Sequence, residues 1–183
     1  DKRIVIPGQW GLIPSWAKEK SIGINMINAR IETVTEKPSF RNLVHKQRCL
    51  IPTDGYYEWK SETFGKQPYY IHLPDHALFT FAGLWNIWKN KEENPLMTYT
   101  IITTQAADHL HEIHPRMPVM IPEIMHSDWL NPNIVFADMS QGMNDLTPEL
   151  EYFPVSHIVN NVRENHPACI EKSTILEQGD LFS

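Results

Sequence analysis

Asp54-Gly55-Tyr56-Tyr57-Glu58-Trp59 sets one carboxylate, Glu58, among aromatic rings in a run with strand character. Alternation puts Tyr56 and Glu58 on one face of such a strand and Tyr57 and Trp59 on the other. A carboxylate partly removed from water keeps its proton to higher pH, which suits general acid or base work near neutrality. An ion pair with Arg30, Arg48 or Lys60 explains the same residue equally well. A second block, His109-Leu110-His111-Glu112-Ile113-His114-Pro115-Arg116, gathers three imidazoles and a guanidinium. On a helix, His109 and His111 point roughly 200° apart and only His111 and His114 share a face. That spacing offers no metal set, so neither a metal nor another cofactor is expected. His114, ahead of Pro115, is the candidate for proton transfer, and Arg116 for gripping an anion.

Two further blocks bear on binding. Asn28-Ala29-Arg30-Ile31-Glu32-Thr33 places an amide and a guanidinium two apart, on one face of an extended segment. The amide can orient a nucleophile and the guanidinium can hold a phosphate; a capped turn with a surface salt bridge is the plainer alternative. Trp10-Gly11-Leu12-Ile13-Pro14-Ser15-Trp16 reads as a stiff aromatic loop, suited to stacking on bases or to anchoring a core. A conventional nucleophile with an adjacent base is missing: no Gly-x-Ser-x-Gly and no glycine-rich phosphate loop occurs, and Cys49 lies in an apolar run where thiols are inert.

The elements that must position these residues are mostly strands. Runs at 48–52, 55–59, 68–72, 78–85 and 97–104 are short, rich in β-branched or aromatic residues, and separated by turn residues, with a hairpin loop expected at 61–67. Helical signals are brief: 32–36 ahead of Pro38, 40–45 with Ser39 as cap, Gln105 to His114 behind Thr104, and 123–130; residues 131–151 read as irregular. The expected class is α+β, with a curved antiparallel sheet or barrel core and small peripheral helices, in one domain over 1–183. The composition is that of a folded protein, with no run of 18 apolar residues to cross a membrane and no basic, apolar leader, so a cytoplasmic location is expected. The net charge of −6 argues against a generic nucleic-acid binder, yet residues 1–60 carry ten Lys/Arg against six acids. That asymmetry marks either a basic face or chance variation on a solvated surface.

In this order and spacing the blocks resemble the SOS response-associated peptidase family. The resemblance rests on 10–16, Asn28–Thr33 with Glu36-Lys-Pro-Ser-Phe40, Arg48-Cys-Leu-Ile-Pro52, Asp54–Trp59, Phe81-Ala-Gly-Leu-Trp85, Thr100-Ile-Ile-Thr-Thr104, His114-Pro-Arg-Met-Pro118, Trp129-Leu130 and 155–161. It implies capture of abasic sites in single-stranded DNA: an N-terminal cysteine attacks the ring-opened aldehyde, and its amine and thiol close a thiazolidine. It also implies that Asn28 orients that residue, that Glu58 and His114 shuttle protons, and that Arg30 and Arg116 hold flanking phosphates. Trp10, Pro14 and Trp16 would stack on or wedge the strand, and the same catalytic set would remove the protein's own leading Met.

The sequence departs from this pattern at its start, with Asp1 and no N-terminal cysteine. The expectation is a chain lacking its leading segment, inactive in crosslinking as it stands and monomeric. The rival readings are a protease or amidohydrolase using Glu58 and His114 on other proteins, and a non-catalytic remnant that binds single-stranded DNA.

Overall fold

A computed structural model describes residues 3–63, 65–89, 94–140, 143 and 147–173. Asp1 and residue 64, inside the expected hairpin loop, lie outside them. The chain forms two compact units, one of residues 1–52, 79–105 and 116–147, the other of 53–78, 106–115 and 148–183.

The first unit is organised by one long strand. Labelled in chain order, it holds β1 (Gln9–Trp10), β2 (Asn28–Arg30), α1 (Leu43–Lys46), most of β3 (Arg48–Thr53), β6 (Phe79–Trp88), β7 (Leu96–Gln105), β8 (Arg116–Pro118), α2 (His126–Leu130) and α3 (Phe136–Ser140). The sheet runs β1-β7-β6-β3, and β2 and β8 also pair with β7. β6 and β8 join β7 antiparallel, whereas β1 and β2 join it parallel, Trp10 opposite Tyr99 and Asn28 opposite Ile101. Beneath the sheet a core of Leu12, Ala29, Val34, Leu84, Ile102 and Trp129 is almost fully excluded from water.

Arg48, 6% exposed, is the polar fixture of this unit. Its guanidinium donates to the carbonyls of Val44 at 2.7 Å, Trp129 at 2.5 Å, Ile134 at 3.2 Å and Asn131, and lies over the Trp129 ring. Burial pushes its pKa down. Sequence reading offered it as a partner for Glu58; it serves instead the carbonyls that α1, α2 and the segment after α2 leave open.

The second unit contains β4 (Tyr56–Glu62), β5 (Gly65–His72) and β9 (Glu151–Pro154), an antiparallel sheet in the order β4-β5-β9. Tyr69, Tyr70, Ile71, Leu110, Ile113 and Val155 are buried. Tyr70 packs against Tyr57 and Phe153 at ring separations of 5.4 and 5.8 Å.

The α+β class, the curved sheet core and the small helices are as expected. All five expected strands are present, but β4 and β5 run into the expected hairpin loop, as far as Glu62 opposite Gly65. The helix expected from Gln105 to His114 is not formed. Thr104 and Gln105 stay in β7, and a single 3-10 turn, Asp108–Leu110, follows. The reason is geometric: Gln105 pairs with Arg116 and the Ala106 amide donates to the Pro115 carbonyl at 3.0 Å, so the segment's ends must meet. A ten-residue helix would hold them about 15 Å apart. Residues 32–36 form hydrogen-bonded turns, and α1 begins at Leu43 rather than behind Ser39. In the stretch expected to be irregular, α3 buries Phe136 and Met139; five residues are too few to show a period.

Glycine is required where β4 begins. A Cβ on Gly55 would stand 2.3–2.6 Å from the ring of Tyr70, which is 3% exposed and cannot swing into solvent. Gly55→Ala is therefore expected to destabilise the protein by about 1–3 kcal/mol, read from the midpoint of urea unfolding. An unchanged midpoint would mean that the Tyr70 ring has room to move.

Candidate active site and nucleic-acid interface

In the second unit β4 carries Glu58 opposite Tyr69, with the side chain only 24% exposed. The loop that replaces the expected helix brings His114 to it, Nδ1 lying 3.7 Å from Glu58 Oε1. Leu110 and Ile113 bury themselves and hold this loop down. Beside them Glu112 accepts from Lys60 Nζ and from Tyr152 Oη, each at 2.9 Å, so the Lys60 partner considered for Glu58 is engaged with Glu112. Glu58, Trp59, Lys66, His114, His157 and Asn160 line an open cavity of about 570 Å³.

The Glu58 carboxyl is held above the ordinary glutamate value of 4.5, first by burial; the His114 and Lys66 charges and a backbone hydrogen bond work against that rise. Its charge also helps raise the buried Tyr56 hydroxyl, for which burial is again the larger cause. A carboxyl that keeps its proton to higher pH than usual, next to an imidazole, is an arrangement suited to proton transfer. His109 and His111 are exposed on the turn and belong to no such arrangement. With no helix there, the shared helical face of His111 and His114 does not exist.

In the first unit, β2 presents Asn28 and Arg30 outward on either side of buried Ala29, the face that the spacing implied. Arg30 stands opposite Thr103 of β7. Arg116, on the other edge of β7, donates to the Thr103 carbonyl at 2.7 Å and bidentately to Glu32 at 3.0 Å through each terminal nitrogen. The Glu32 carboxyl is lowered, chiefly by that Arg116 hydrogen bond. Thus the block does contain a salt bridge, but its cation is Arg116.

The aromatic loop is also in the first unit. Leu12 and Ile13 are fully buried and Pro14 is buried, while Trp10 and Trp16 are 50% and 60% exposed, so neither indole anchors the core. Gly11, at φ +111°, crosses Gly23 so closely that a Cβ there would lie 2.7 Å from the Gly23 carbonyl oxygen. The Gly11 amide donates to Tyr99, Ile13 to Thr98 Oγ1, and the Trp10 indole to the Ile27 carbonyl. Two exposed indoles thus sit on a firmly bonded backbone.

Burial pushes the Cys49 thiol up to about 12, in keeping with an inert role. A Ser-x-x-Lys spacing, which the reading for serine chemistry took to be absent, does occur at Ser15 and Lys18; both are exposed around a turn closed by the Ala17 amide on the Pro14 carbonyl. The sequence singles out neither Lys66, which stands in no motif, nor His157, which lies within the 155–161 block but has no chemistry-bearing spacing to another residue.

The raised Glu58 pKa has a sign that can be tested. Its proton binds more tightly in the folded protein than in the unfolded one, so stability falls as pH rises from 4.5 through the folded value. Glu58→Gln removes the buried charge and is expected to raise the melting temperature at pH 7. That gain should disappear below pH 4.5, as thermal unfolding across pH would show.

Comparison with known proteins bears on what these groups serve. Residues 1–162 match the family described as SOS response associated peptidase (SRAP). The abasic site processing protein YoqW of Bacillus subtilis is 45% identical over 168 residues, 89% of this chain and 74% of its own. The abasic site processing protein HMCES of Rattus norvegicus is 32% identical over 205 residues, 95% of this chain and 58% of its own. A crystal structure from Bacteroides thetaiotaomicron superposes with a TM-score of 0.80 at 30% identity, covering 90% of this chain and 75% of that one. A phage-related protein from Bordetella bronchiseptica does so with a TM-score of 0.61 at 30% identity, covering 81% and 70%. With the family's match running across most of its length, this chain belongs to the SOS response associated peptidase family.

Proposed function

We propose that the protein processes abasic sites in single-stranded DNA by capturing the ring-opened sugar covalently. The observation that carries this reading is the half-buried Glu58 beside His114 at 3.7 Å in an open cavity, in a chain whose relatives are named abasic site processing proteins. The nucleophile implied by the family resemblance, an N-terminal cysteine, is not among these 183 residues. Its amine adds to the aldehyde C1′, water leaves as the imine forms, and the thiol adds to the imine carbon to close a thiazolidine. Glu58 and His114 move the protons: one to the sugar ring oxygen as the hemiacetal opens, one from the attacking amine, one to the departing hydroxyl. Asn28 orients the N-terminal residue. The same groups serve removal of a leading Met from the protein itself.

On the DNA side, Arg30 and Arg116 hold phosphates, and Trp10, Pro14 and Trp16 meet the bases. Arg116 already has its fork on Glu32, so any phosphate it binds shares or displaces that carboxylate. Arg30, exposed on β2, needs no such exchange. Residues 1–60, which carry Trp10, Asn28 and Arg30, are also the basic part of an acidic chain.

The test is an adduct assay with abasic and intact oligonucleotides, using protein that begins with the cysteine. A heat-stable adduct confined to the abasic strand supports the reading. No adduct, with equal and salt-sensitive affinity for both strands, assigns the protein to simple single-strand binding. Glu58→Gln is expected to slow adduct formation about 100-fold while leaving affinity near wild type. Arg30→Ala should weaken affinity and lower the salt slope by about 0.7, the value of one phosphate on a single strand. An unchanged slope would remove Arg30 from the interface.

A further inference from the structure

Besides the proton-transfer pair, the cavity is lined by groups that the chemistry above does not use: Lys66, His157, Asn160 and Trp59. Hydrogen bonds fix the directions of Trp59, Asn160 and His157. The Trp59 indole nitrogen can only donate, and it lies 2.8 Å from Asn160 Oδ1. The amide's oxygen is therefore the end facing Trp59, and its nitrogen faces His157 Nδ1 at 3.4 Å. An amide nitrogen has only protons to offer, so Nδ1 accepts, and the neutral ring carries its proton on Nε2. The backbone beneath is set as well, because Ser156 Oγ accepts from the Ile158 amide at the start of the His157–Asn160 turn. His157 thus brings to this wall a ring whose unbonded nitrogen is a donor.

Lys66, the second residue of β5, adds an ammonium close enough for its charge to act on Glu58. A compact ammonium and an imidazole N–H are both donors. The wall's carbonyl oxygen, on Asn160, is already bonded to Trp59. Such a wall suits a ligand made only of acceptors, and the volume lies within the range of small-ligand sites. The DNA strand supplies that ligand: an abasic sugar has a phosphate on each side, so any pose bringing its C1′ to Glu58 and His114 brings a phosphodiester with it.

We propose that Lys66 and His157 form a subsite for one phosphodiester flanking the reacting sugar, with Asn160 holding His157 in the donor tautomer. This rests on the abasic-site reading of the cavity, and it assigns a charge-reading role to two residues outside the proton-transfer pair.

The test measures binding of a single strand carrying a tetrahydrofuran abasic analogue, which cannot react, so affinity is read without chemistry. Each phosphate around the analogue is replaced in turn by an uncharged methylphosphonate. Lys66→Ala is expected to weaken binding to the native strand on the order of fivefold and to lower the salt slope by about 0.7. One methylphosphonate position should weaken the wild type by a similar factor and leave Lys66→Ala unaffected. His157→Ala should lose affinity at that same position, with His157→Gln, which keeps an N–H donor, recovering part of it. Unchanged affinity in Lys66→Ala, or losses that simply multiply at every methylphosphonate, would overturn the subsite. A wild type that binds no abasic strand would remove the reading of the cavity and the subsite with it. Binding without the coupling would remove the subsite alone.

Discussion

Strand register is the constraint on which both units depend. Side chains alternate between faces, so a slip of one residue in a ladder would exchange buried and exposed positions along the whole strand. In the first unit β7 fixes register on both edges at once. Ala29 must face the core, and Asn28 and Arg30 consequently face outward opposite Ile101 and Thr103. In the second unit Tyr57 meets Tyr70 within the aromatic packing, and Glu58 follows opposite Tyr69. The polar groups need no binding energy of their own to be placed; the apolar neighbours one position away place them.

The protein treats its carboxylates in opposite ways. Glu32 is bound by both terminal nitrogens of Arg116 and kept ionised. Glu58 is set among aromatic residues, where burial outweighs the nearby cations and raises its pKa above the ordinary glutamate value. Opposite shifts of this kind are what a carboxyl proposed for proton transfer and a carboxylate held as fixed charge require. Similarly, the six tryptophans of the sequence are not equivalent: Trp88 and Trp129 are buried, while Trp10 and Trp16 are left to solvent on a loop held by the amides of Gly11, Leu12, Ile13 and Ala17.

Much of this was legible in the sequence because strands of β-branched and aromatic residues punctuated by Gly, Pro and Asn leave few alternatives. The outward face of Asn28 and Arg30 follows from period two alone, whereas Trp59, expected on the face opposite Glu58, lines the same cavity. The segment from Gln105 to His114 was misread because its apolar spacing at Ala106, Ala107, Leu110 and Ile113 suits a helix, and nothing local reveals that its ends are paired across a ladder. The same closure carries His114 to Glu58, so the nearness of those two residues was not a local property either. Lys66 and His157 were illegible for a related reason: each is an ordinary polar residue until folding gathers them at one cavity.

Arg48 has a consequence of another sort. It joins carbonyls from α1, α2 and the following segment through a cation that no carboxylate neutralises among its bonded partners. Carbonyl oxygens do not titrate, and a guanidinium remains charged over any pH at which the protein folds. This knot therefore has no acid–base transition of its own. A protein whose proposed work is to pass protons through Glu58 and His114 is well served by a scaffold that is deaf to the same signal.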